Sequence, residues 1–433
     1  MYPAFSQPPA KPEPYAMTRD REEAPTPTQR EISTVIRFAL SPDPDNVIKN
    51  EADLALVDKV IKYYLFRLTW EEVQKERDPS KGTIDAIMTE VIGHVETNPR
   101  LLPRYFTGSA ADQDMASQRE RQFKNVQAMT PVFIRNCKVL LQNKLPIVRI
   151  NAVRVLAKLA EWGQEAVVDE FTAIINHPNE SIAVKHYAFI GLQNILNLVG
   201  QNDIKARGLF QSKESQTRLH DVLMATYQWL NEYTKLPESR MQYMKPEEQA
   251  GIRYVRRAAM LALGASRRAL VVDDRQTNKQ EGPIAEILNR ILAAEADVVP
   301  PPDLRERLDA VHALARIRTK TTPSSLPDYT AYNIGAFLTV LGTEANAQRA
   351  GSATTFAWSL EAEKLRASLD GFAKQPMPPP SQVYVNKLAE KVKPLLEFFN
   401  DFNVNTDSVR GLSEFMRDNR PPNDKVIKPL GEK

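Results

Sequence analysis

Apolar residues along this chain recur at helical spacing, and alternating strand patterns are nearly absent. Leu54, Val57, Ile61, Tyr64, Leu65 and Leu68 return every three or four positions, one stripe of an amphipathic helix. Ile84, Ile87, Met88, Val91 and Val95 predict another over Thr83 to Val95. Gln113 to Gln142 reads as a long helix broken at Pro131, since proline removes a backbone donor and crowds the preceding turn. The best strand candidate is the short run Ala269 to Val272. The fold class is therefore all-α.

A repeated grammar begins at Pro146. Arg149, Lys185, Arg256 and Arg307 each precede an alanine by three positions and a leucine by seven: Ala152 and Leu156, Ala188 and Leu192, Ala259 and Leu263, Ala310 and Leu314. Valine stands just before the base in the first three, and Glu306 in the fourth. The alanine suits a close helix crossing, the leucine fills the groove one turn on, and the base reaches the adjacent loop. An apolar-striped helix precedes each of the last three: Val167 to Ile175, Leu219 to Leu230, and Ile284 to Ile291. Prolines 178 and 300 to 302 punctuate the turns between them.

This pattern resembles the second helix of the HEAT-repeat family over roughly residues 129–320. The resemblance implies an irregular α-α superhelix, a solenoid. Lys185, Glu306 and the connector Thr234 to Gln249 depart from a regular period. Around the repeats the expected layout is a disordered Pro-rich tail (1–29), an N-terminal helical region (30–128), a helical cap (321–374), a Pro-rich linker (375–382), a C-terminal helical hairpin (383–419) and a tail (420–433). The hairpin carries Leu388, Val392, Leu395, Phe399 and Phe402, and docks either on its own chain or on a second copy, which would make a homo-oligomer.

Composition narrows the chemistry. The 433 residues include 31 prolines and only 16 glycines, scarce for phosphate loops or tight β turns. One cysteine, Cys137, excludes an intrachain disulfide framework and a cysteine-based zinc site. No phosphate loop, dinucleotide fingerprint or nucleophile elbow is written in the chain. Of the five histidines, none is followed by glutamate, so the histidine–glutamate pairs of a di-iron HEAT hydroxylase are missing. A HEAT-like lyase acting on a prosthetic group has no residue set here to support it. The expectation is no catalytic residue, no cofactor and no metal. No run of about 18 apolar residues occurs, so no membrane span is expected. The N-terminus reads as cytoplasmic, or as envelope or exported if the true start lies upstream.

The candidate partner-binding residues are the signature bases Arg149, Lys185, Arg256 and Arg307, together with Arg253, Arg257, Arg267 and Arg268. The five residues from Arg253 to Arg268 fall near one azimuth of a continuous helix. Such a ladder binds an acidic partner, or pairs internally with Glu247, Glu248, Asp273 and Asp274. The leading function is a non-catalytic scaffold for a protein or peptide partner. The alternative is a nucleic-acid-binding protein with a basic concave face. A net charge of +3 weighs against the latter. Structural assembly into a coat or oligomer is a further class.

Overall fold

The computed structural model describes residues 26–40, 47–69, 110–199, 208–273, 280–318, 326–350, 358–400 and 406–420. Helices make up nearly all of the regular structure among them, and no helix is long and apolar enough to cross a membrane. The expected helix at Thr83 to Val95 and most of both tails lie outside the described residues. The chain divides into two units, Met1–Val167 with Asn202–Arg207, and Val168–Gln201 with Gly208–Lys433. The boundary falls inside the span expected for the repeats, after the first signature helix.

The first unit holds α1 (Gln29–Leu40), α2 (Glu51–Arg67), α3 (Ala110–Leu141) and α4 (Pro146–Glu161). The stripe predicted around Leu54 is α2, with Val57, Ile61, Tyr64 and Leu65 buried. Asn50 caps it, its side chain accepting from the Asp53 N–H. Helix α3 runs through Pro131 rather than breaking there. Neighbouring turns and the flanking buried residues Met129, Val132 and Phe133 hold the helix across the one missing donor. Polar ties join the helices: Lys59 to Glu31 at 2.8 Å, Arg135 to Asp58 at 2.7 Å, and the Asn125 amide to the Phe38 carbonyl at 2.7 Å. Cys137 is fully buried on the apolar side of α3.

The second unit contains α5 (Val167–Asn176), α6 (Ile182–Leu198), α7 (Lys213–Tyr233), the short α8 (Glu238–Met241) and α9 (Pro246–Ala265). A hairpin of β1 (Val271–Asp273) and β2 (Gln280–Gly282) follows, antiparallel with Val271 opposite Gly282. It occupies the place of the expected strand. Then come α10 (Ile284–Ala293), α11 (Leu304–Arg316), α12 (Leu326–Ala350), α13 (Trp358–Ala373), α14 (Pro379–Asn400) and α15 (Thr406–Asp418). Helices α6, α9, α11 and α13 pack each on the next in a row. Helices α7, α10 and α12 back that row, α7 on α9, α10 on α11 and α12 on α10.

Two glycines show how tightly the rows close. A Cβ at Gly264 would sit 2.5 Å from the Ala313 Cα, so α9 and α11 meet backbone to backbone there. A Cβ at Gly335 would sit 2.3 Å from the Met416 Sδ, which seats α15 on α12. Helix α14 lies on α12 and α13, so the C-terminal hairpin buries Leu388, Val392, Leu395, Leu412 and Met416 on its own chain. Pro394 sits inside α14. Asn289, Thr330 and Asn333 form a buried polar tie between α10 and α12, with both amide contacts at 3.1 Å.

Candidate functional site

All four signature alanines and leucines are buried, as a close crossing requires. The four bases share one role. Each donates to carbonyls at the end of the helix, or in the loop, before its own helix. Arg149 Nη1 reaches the Asn143 carbonyl at 2.7 Å and that of Lys144 at 3.2 Å. Lys185 Nζ reaches the Ile175 carbonyl at 2.7 Å, and Arg307 Nε that of Leu292 at 2.8 Å. Arg256 Nη1 reaches the Tyr233 carbonyl at 3.3 Å. The last turn of a helix leaves carbonyls without intrahelical donors, and these cations supply them.

Burial shifts two of the bases, Lys185 and Arg307. It pushes the Lys185 ammonium down, while Glu232 and Glu180 pull it back. Burial alone pushes Arg307 down, and its guanidinium lies 4.6 Å from the centre of the Phe337 ring.

Arg256 is 0% exposed, as is Glu306. Its Nη2 donates to Glu306 Oε2 and to the Pro300 carbonyl, both at 2.8 Å. Nε lies 2.5 Å from Glu306 Oε1, an ionic contact without hydrogen-bond alignment. Glu306, which stands where the other three signature helices have valine, thus pairs with Arg256, the base of the third of these helices. Burial pushes the Glu306 carboxyl up to about 7, and Arg256 restrains it from rising further. Arg253 Nε donates to the Pro301 carbonyl at 2.7 Å, and Arg257 Nε to Asp309 Oδ2 at 2.5 Å.

These placements correct the expectation of a partner-facing arginine ladder. Arg256 and Lys185 are buried and present no surface to a partner. Arg149, Arg253, Arg257 and Arg307 are engaged within the chain. The internal partners are Glu306, Asp309 and loop carbonyls, not Glu247 and Glu248; Glu248 instead accepts from the Lys245 N–H. Helix α9 ends at Ala265, and Arg267 follows in the left-handed region at φ 58°, so Arg267 and Arg268 leave the helical stripe.

The solvent side of the row α6, α9 and α11 carries a different constellation. Tyr254 on α9 is 56% exposed, and its ring lies 4.6 Å from that of His186 on α6. Burial, then the nearby Arg257, pushes the His186 imidazole down. The chain of polar groups continues through Arg257 and Asp309 to His312 on α11. His312 Nδ1 is 2.8 Å from Ser368 Oγ, and its Nε2 is 3.8 Å from Glu361 on α13, an ion contact when the ring is protonated. Glu361 is held down to about 2, by His312 first and then, against burial, by Lys364. Tyr187, Ile190 and Leu261 lie half-buried on the same side.

The sequence reading missed Tyr254, Asp309 and Glu361, because their neighbours come from other helices. It also missed Arg316 and Arg318. The end of the third signature helix is followed by Arg267 and Arg268, and Arg316 and Arg318 stand at the end of the fourth, which is a signal. No group of three or more metal-ligating side chains converges among the described residues. Compared with known proteins, the chain matches no family model, no curated protein and no solved structure.

Proposed function

We propose that this chain is a non-catalytic scaffold of HEAT-like helix pairs, holding a protein partner on the solvent side of α6, α9 and α11. The observation that carries the reading is Tyr254. It is a large aromatic, 56% exposed at the middle of a row whose underlying residues are buried. Aromatics on a rigid scaffold supply contact area at low entropic cost, and they anchor many interfaces. The half-buried Tyr187, Ile190 and Leu261 around it extend the apolar area, and Arg257 with Asp309 provides a polar rim. Helix pairs that contact only their neighbours leave such a face continuous.

A photo-crosslinking residue at Tyr254 tests this. The expected result is a defined crosslinked partner from native lysate that is absent when the same residue replaces Gln228 on the backing helix α7. Equal crosslinking at both positions, or none at Tyr254, overturns the scaffold reading.

A further inference from the structure

The solvent side of this row continues past the half-buried Leu261 and His312 to the C-terminal ends of α9 and α11. Arg267, Arg268, Arg316 and Arg318 gather there. The Arg318 N–H donates to the Arg267 carbonyl at 3.0 Å, which fixes the two chain segments side by side. Arg268, Arg316 and Arg318 are exposed. Partial burial first, and then the nearby Arg267, disfavours the charge on Arg316. No carboxylate whose side chain is described pairs with any of the four, the side chains of Asp273, Asp274 and Glu281 lying outside those described, whereas Arg253, Arg256, Arg257, Arg290 and Arg307 all have carbonyl or carboxylate partners. The Gln375 amide donates to the Ala315 carbonyl at 2.8 Å, which brings the exposed Lys374 to the same edge.

A helix dipole accounts for a cation at each C-terminus. Four arginines at two adjacent termini exceed that, and no carboxylate with a described side chain neutralises them. Leu270, 39% exposed, adds an apolar contact beside it.

We infer that this edge is the anchor for an acidic peptide segment of a protein partner, with carboxylates forked onto the guanidinium groups. A duplex fits less well. Tight backbone binding draws on roughly six to ten phosphate contacts along a track. Here the basic surface ends at one edge, because Arg253, Arg256 and Arg257 are engaged internally. The inference rests on the scaffold reading only for the kind of partner, and direct titration tests it whatever Tyr254 captures.

The test titrates the full chain with fluorescein-labelled octaglutamate at about 50 mM salt, where surface charge is weakly screened. The R316E/R318E variant, R268A and a distant control, R410E, are run beside it, with short duplex DNA as competitor. Circular dichroism confirms that each variant is folded. Binding that weakens about tenfold or more in R316E/R318E, weakens less in R268A and is unchanged in R410E supports the anchor. Equal binding by R316E/R318E and the unaltered chain overturns it. So does the absence of peptide binding, or a duplex bound more tightly than the peptide.

Discussion

Arg256 is enclosed by the Tyr233 and Pro300 carbonyls and by Glu306, with no solvent on any side. Removing one member of such a pair strands the other in a low-dielectric site. Arg256→Ala is therefore expected to lower stability by about 3–5 kcal/mol, read by urea unfolding. The double variant R256M/E306L removes both charges together and should lose less than R256A. A double variant as unstable as R256A would show that the stranded carbonyls, not Glu306, dominate. Glu306 also sets a pH dependence. Its folded-state pKa, near 7, lies above the ordinary 4.5, so the folded chain holds this proton more tightly than the unfolded one. Stability from this group is full below about 4.5 and falls as pH rises toward 7, with Arg256, Arg253 and Asp303 facing the carboxyl. Glu306→Gln should flatten that part of the stability profile between pH 5 and 8. An unchanged slope would assign the dependence elsewhere.

At the scale of elements, the closest approach is between α9 and α11. Gly264→Val is expected to cost about 1–3 kcal/mol, because its side chain meets backbone that cannot yield. Gly335→Ala should cost less, since the facing Met416 side chain can rotate away. Thermal melts of the two variants check the order. The helices themselves were legible from periodicity, and so were the buried signature alanines and leucines, because a 3.6-residue repeat maps directly onto a face. The destinations of the bases were not. Their acceptors are backbone carbonyls, which every residue has, and Glu306 lies 50 residues from Arg256. The arginine stripe failed for a local reason. Helix α9 stops at Ala265, and Arg267 takes a left-handed conformation that an azimuth count does not anticipate.

For the whole molecule, the C-terminal hairpin is part of the second unit's core. Helices α14 and α15 pack on α12, where Ile334, Leu338 and Leu341 are buried, and α14 packs on α13, where Leu365 and Leu369 are buried. Deleting residues 376–433 should expose those side chains and produce a species whose mass in sedimentation rises with concentration, while the full chain does not change. A truncated chain that stays monomeric and equally stable would show the hairpin to be an independent appendage.

The bond from each signature base to a preceding carbonyl closes over very different stretches of chain. It spans 6 residues at Arg149, 10 at Lys185, 15 at Arg307 and 23 at Arg256. Closing the longest rather than the shortest costs only about 1 kcal/mol of chain entropy, because that entropy grows with the logarithm of length. The connector with α8 is accommodated inside the longest of these spans. Each clasp thus holds its own helix pair whatever is threaded between its jaws. The turns under the clasps are places where this chain can carry insertions, such as an epitope or a binding loop, without shifting the rows they join.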